Sequence, residues 1–272
     1  MIEVNNLTFK YPSQKELLFE GFNLRLEENR IYGLLGKNGT GKSTLLYLLS
    51  GLLRPKGGKV SVDGFTPHLR DADMLKEMFL VPEEYDLPST SLSSYVQLIE
   101  PFYPRFSREV LNACLSEFEL EQDLQLGSLS MGQKKKVYMS VALAAGTKLL
   151  MMDEPTNGLD IPSKTQFRKV VAQQMEESHT LIISTHQVHD VEALLDHVLI
   201  LNQRELLLNS PVDELTDKYV FTLRMPGDMD GVIYAEPSLM GNASMLLRQP
   251  DMPETQINLE LLFNAVTKGL VK

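Results

Sequence analysis

The chain has 272 residues, 43% of them hydrophobic and 23% charged, enough apolar material for one large folded unit with a small appendage. A net charge of −10 argues against a function organised by bulk attraction to nucleic acid. The single cysteine, Cys114, excludes an internal disulfide framework and fits a reducing compartment.

The first residues, Met1-Ile2-Glu3-Val4, lack the basic-then-apolar pattern of a secretory signal, so none is expected. Residues 3–9 read as a strand, with 23–26 as its antiparallel neighbour. Residues 31–35 form a short apolar run entering glycine-rich sequence, which predicts a buried strand. Residues 42–50 follow as a helix stopped by Gly51. Residues 59–62 end at the turn signal Asp63-Gly64, and 78–81 predict another buried strand.

The texture then changes. Segments 92–102, 107–119 and 131–145 have helical spacing with no strand between them, a helical insertion set at about 88–147. Strand-like runs 149–152, 181–184 and 198–201 then alternate with helical runs 163–178 and 188–195, which predicts a mainly parallel sheet clad by helices. A strand at 206–209 and a short helix at 212–219 close the main unit, set at 1–218. Strands at 221–225, 232–235 and 244–248 and an amphipathic helix at 257–267 make a small α+β unit, 219–272, with no motif tied to chemistry. No run of about 18 apolar residues occurs, so any membrane crossing falls to other chains.

The strongest motif is Gly36-Lys37-Asn38-Gly39-Thr40-Gly41-Lys42-Ser43-Thr44, which fits G-x-x-x-x-G-K-[ST] between a predicted strand and a predicted helix. Gly36, Gly39 and Gly41 let the main chain turn consecutive N–H groups toward phosphate oxygens. The helix that follows adds the positive end of its dipole. Lys42 supplies a cation for the β- and γ-phosphates, Ser43 an oxygen for Mg²⁺, and Asn38 and Thr44 complete the nucleotide cradle. Alone, this loop specifies only a nucleoside triphosphate. The second motif is the apolar run at 149–152 ending in Asp153-Glu154. A buried strand ending in acids presents them at the carboxyl edge of the sheet, where open α/β sheets bind ligands. Asp153 suits Mg²⁺ and Glu154 suits a general base for the attacking water.

Leu129-Ser130-Met131-Gly132-Gln133 resembles the LSGGQ signature of the ABC ATPase family. In order after it, Asn157-Gly158-Leu159-Asp160 looks like that family's D-loop, and His186 like its switch histidine. Tyr11, ahead of the phosphate loop, looks like the aromatic that stacks on adenine. As bare residues, Tyr11 also fits an edge-strand aromatic and His186 a polar strand end. The resemblance covers about residues 1–218. It implies an α/β phosphate-loop NTPase fold with an antiparallel β subdomain, and ATP and Mg²⁺ as ligands. It also implies a dimer whose shared sites are completed in trans by Ser130, Gly132 and Gln133 and coupled by Asp160. Catalysis would rest on Glu154, His186 and Lys42, and Mg²⁺ on Ser43, Asp153 and Glu83.

Two positions depart from the family pattern. Met131 stands where the signature has glycine, and Val81-Pro82-Glu83-Glu84 puts Glu83 where the family has the Q-loop glutamine. A carboxylate adds negative charge near the γ-phosphate but is a competent Mg²⁺ ligand. Lys134-Lys135-Lys136 reads as a solvated helix face. Residues 87–105, and the aromatic run Pro101-Phe102-Tyr103-Pro104-Arg105-Phe106, form the expected docking surface for an integral-membrane permease, with core packing as the competing reading of the aromatics. The expectation is therefore an ATPase subunit held peripherally at the inner face of the cell membrane, powering a transporter of the bacterial export type. Two other functions fit parts of the chain. One is a soluble ATPase acting on nucleic acid or ribosomes, which the acidic balance disfavours. The other is a nucleotide sensor with weak hydrolysis, which Glu83 suggests.

Overall fold

The computed structural model describes residues 1–175, 178–202 and 204–271. In chain order the elements are β1 (Ile2–Phe9), β2 (Phe19–Leu26), β3 (Ile31–Leu35), α1 (Lys42–Leu49), β4 (Gly57–Val62), α2 (Ala72–Leu75), β5 (Met78–Val81), α3 (Leu92–Ile99), α4 (Arg108–Glu117) and α5 (Met131–Ala144). There follow β6 (Leu149–Asp153), α6 (Ile161–Gln174), β7 (Thr180–Thr185), β8 (His197–Asn202), β9 (Glu205–Pro211), α7 (Val212–Lys218), β10 (Tyr219–Arg224), β11 (Val232–Ser238), β12 (Gly241–Leu247) and α8 (Leu259–Thr267).

The central sheet has the order β5-β6-β7-β3-β8-β9, parallel except for β9. Its inner strands read as unbroken apolar runs because both faces are covered. Alternation decides which side chain meets which layer. Met151 and Ile182 face a cluster built from α1 and the antiparallel sheet β2-β1-β4. Leu150, Met152, Leu181 and Ile183 face the opposite cluster, built from α6 and from α3, α4 and α5, the three helices inserted between β5 and β6. β3, β6 and β7 thus end side by side at one edge, and the loops leaving them carry the phosphate motif, the acid pair and His186.

Two sequence expectations change. β2 starts at Phe19, four residues before the predicted strand, and pairs with β1 through two register shifts. The helix expected at 188–195 is instead two 3₁₀ turns, Val188–Asp190 and Glu192–Leu194. Asp196 ends that segment: its N–H donates to Ile31 O and its carboxylate accepts Ile31 N–H, both at 2.9 Å, and the N–H groups of Asp190, Val191 and Leu194 bond three residues back, the tighter 3₁₀ pattern. At the C-terminus, β10-β12-β11 form an antiparallel sheet, and the apolar face of α8 joins the same cluster as Val198 and Ile200 of the central sheet.

Candidate nucleotide site

Loop 36–44 runs from the end of β3 into α1. Gly39 and Gly41 have φ of 81° and 106°, a region that favours glycine. At Gly41 a Cβ would also lie 2.8 Å from the Phe19 ring, so the β2 core presses directly on the loop. Lys42, the first residue of α1, is buried, and its Nζ turns back to donate to Gly36 O at 2.8 Å and Lys37 O at 3.4 Å. It also lies 3.3 Å from Glu154 Oε1. Tyr11 reaches the same loop, its Oη 3.0 Å from Thr44 Oγ1, with its ring edge-on to Phe9 at 5.1 Å.

Asp153 ends β6 and is 1% exposed. Burial pushes its pKa above the usual carboxylate range, opposed by hydrogen bonds from Ser184 and Ser43. Ser184 Oγ donates to its Oδ1, while Oδ2 finds no partner among the described residues. A buried carboxylate oxygen left open beside a serine hydroxyl is the hard-oxygen donor set that Mg²⁺ takes, so Ser43 and Asp153 fit that ion.

Glu154 is the first residue past β6, with φ of 47°, an uncommon conformation for a non-glycine residue. Its N–H donates to Ser184 O at 2.9 Å. Its carboxylate collects four groups. Oε2 accepts Thr185 Oγ1 at 3.1 Å and His186 N–H at 3.3 Å, and Oε1 lies 2.9 Å from His186 Nδ1 beside Lys42. The structure therefore brings Lys42, Ser43, Asp153, Glu154 and His186 to one sheet edge.

Other expected site residues lie elsewhere. Ser130 caps α5 in a reciprocal box with Gln133: Ser130 Oγ accepts Gln133 N–H at 3.3 Å and Gln133 Oε1 accepts Ser130 N–H at 3.0 Å. Met131 is largely exposed, and Gly132 faces open space. Asp160 caps α6 by accepting Ser163 N–H at 2.9 Å, and the Ser163 hydroxyl first, with that N–H second, holds its carboxyl below the usual range.

Glu83 acts on Asp153 as a nearby charge, and its described hydrogen bond goes elsewhere. Its Oε1 accepts Asn157 Nδ2 at 2.9 Å, and no cluster of three metal-binding side chains exists among the described residues. The lysine run is not a solvated face either. Lys135 is 8% exposed, with Nζ on Glu154 O at 3.0 Å and Asn157 O at 2.9 Å. Lys136 bonds Gln166 Oε1 at 2.9 Å. Lys135 is the residue that sequence reasoning missed. Of the predicted docking aromatics, Phe102 stands 71% exposed, as does Leu98 at 66%, while Tyr103 packs against Phe79.

A family model described as ABC transporter matches residues 19–157. The chain is 26% identical over 233 residues to the ABC transporter ATP-binding protein YtrB of Bacillus subtilis, which covers 85% of this chain and 78% of that one. It is 29% identical over 219 residues to the bacitracin transport ATP-binding protein BcrA of Bacillus licheniformis, covering 79% and 71%. Among solved structures, the ATP-binding subunit of an ABC transporter superimposes with a TM-score of 0.69 at 25% identity, over 79% of this chain and 91% of the other. The chain therefore belongs to the ABC transporter family as one of its ATP-binding subunits, an ATPase.

Proposed function

We propose that this ATPase drives an exporter, working as a pair of chains that encloses two ATP molecules and docks on a membrane-spanning partner. The start of α5 carries the pairing. Met131 is largely exposed and Gly132 faces open space, and none of the described hydrogen bonds at this helix start reaches loop 36–44. An outward helix N-terminus of this kind suits the γ-phosphate of ATP held by a second copy.

In the site so completed, Lys42 exchanges the carbonyls of Gly36 and Lys37 for phosphate oxygens, and main-chain N–H groups of loop 36–44 hold the rest. Tyr11 flanks the adenine. Glu154 takes the proton of the attacking water, and His186 keeps its carboxylate aimed. Asp160, at the start of α6, couples the two sites. Mg²⁺ held by Ser43 and Asp153 supplies charge neutralisation for the phosphates. A mixture of two variants tests the shared site. Lys42→Ala and Gly132→Arg chains should each be nearly inactive alone, yet hydrolyse ATP when mixed, because the mixed pair contains one intact site. A mixture as inactive as its parts would overturn the pairing.

No helix among the described residues is long and apolar enough to cross a membrane. We place the chain peripherally at the inner membrane face through its partner. Leu98 and Phe102, four residues apart and exposed, form the docking surface. Replacing both by Asp should abolish copurification with the partner, while the isolated chain keeps its ATPase rate within about twofold, as surface substitutions usually allow. Copurification unchanged by the double substitution would move the docking surface elsewhere. The export direction rests on the resemblance of residues 87–105 to the subgroup that serves bacterial export-type permeases, and the likeness to a bacitracin transport ATP-binding protein supports a transport role.

A further inference from the structure

Lysine is almost never fully buried unless its ammonium is partnered. Lys135 is buried on the second turn of α5, and its described partners are main-chain carbonyls, Glu154 O and Asn157 O. Those two carbonyls bracket the turn that follows β6. Glu154 O also accepts Asn157 N–H at 3.2 Å, so one cation closes the turn from inside. The turn begins at a residue in the left-handed region, and such a residue stays there only when its surroundings hold it. Burial drives Lys135 toward the neutral amine, and three carboxylates oppose that, Glu83 first, then Glu154 and Asp153. Glu83 is tied to the same turn through Asn157 Nδ2 at 2.9 Å.

We infer that Lys135 is a positioning residue for Glu154, and that Glu83 is the charge partner of this buried lysine, the two meeting across Asn157. The inference rests on Glu154 acting as the general base. Three segments then converge on one turn: the stretch after β5, the helix whose outer end carries Ser130, and the chain leaving β6. A shift of either outer segment changes the donors on Glu154 O and Asn157 O, and with them the aim of the Glu154 carboxylate toward Lys42 and His186. Glu83 acts here as a counter-charge, and its carboxylate belongs with a lysine at 135. A glutamine at 83 would still accept from Asn157 but would leave the ammonium less balanced.

The test is a set of steady-state ATPase measurements with nucleotide affinity measured alongside. Lys135→Met, which keeps the stem and removes donors and charge, should lower kcat by about 10- to 100-fold, the scale of a misplaced catalytic group. The KM for ATP should stay within about threefold, because loop 36–44 is untouched. Glu83→Gln and Lys135→Gln should each lower kcat. The double variant should be faster than the product of the two single losses, because both charges leave together. Lys135→Met at the parent rate would overturn the positioning role, and a double variant at the full product would overturn the pairing. Where Lys135→Met does not fold, Lys135→Gln carries the test, with ATP affinity reporting the intact fold. Glu154→Gln measured beside them separates the two ideas. If it hydrolyses like the parent, the general-base assignment fails; if it is inactive and Lys135→Met is unaffected, only the present inference fails.

Discussion

Replacing Glu154 by Gln is expected to lower kcat for ATP hydrolysis by about 10²–10⁴-fold, the range for a general base, while ATP still binds. The amide keeps the shape of the carboxylate and can still accept from Thr185 Oγ1 and His186 N–H. What it cannot do is take a proton from water. It also removes the negative charge 3.3 Å from Lys42 Nζ, a charge that competes with phosphate for the lysine. Affinity for ATP should therefore be unchanged or higher. Binding without turnover should accumulate the ATP-enclosing pair, read on a sizing column as a shift from one chain to two on adding ATP. Turnover at the parent rate would remove Glu154 from the mechanism.

The second large effect is expected from Lys42→Ala. Lys42 is buried and bonds its own loop, so it is positioned before any substrate arrives. Its loss removes a preorganised cation from the phosphates, and kcat/KM should fall by about 10²–10³-fold, the scale for one such donor. The substitution also leaves Glu154 buried with only Thr185 and His186 as partners. That should reduce folding stability by about 1–3 kcal/mol, the cost of an under-satisfied buried acceptor, measured as a lower midpoint of urea unfolding with unchanged slope. Stability equal to the parent would show that Thr185 and His186 alone satisfy the carboxylate. Full activity in Lys42→Ala would rule out the phosphate role of the loop.

The two expected effects draw on different amounts of sequence information. Loop 36–44 and the run ending at Asp153-Glu154 were legible because their signals are local: a glycine spacing between a strand and a helix, and an apolar strand ending in acids. Lys135 was hidden because its acceptors are main-chain carbonyls 19 and 22 residues away, and a carbonyl has no identity in a sequence. Three consecutive lysines on a helix read as solvated until a turn folds over one of them. The 3₁₀ turns after His186 were hidden for a related reason. Val188, Val191, Leu194 and Leu195 have helical spacing, but the segment is pinned at its end by Asp196 to Ile31 and bonds three residues back, contacts that no local spacing announces. Glu83 was singled out as unusual, but its bond to Asn157 lies 74 positions along the chain.

The seam between α8 and the central sheet bears on how this chain can be shortened. Leu259, Leu262 and Ala265 share one hydrophobic cluster with Val198, Ile200 and Leu208, and Glu192 accepts Leu259 N–H at 2.6 Å. A fragment ending at Lys218 would therefore not be the same machine without an accessory. It would present raw interior to water along two strands, and would stick to itself or to other proteins before any regulatory deficit could be read. The tail is better interrogated by changes on its outer surface, such as the exposed Leu239 and Met240, which leave that seam closed.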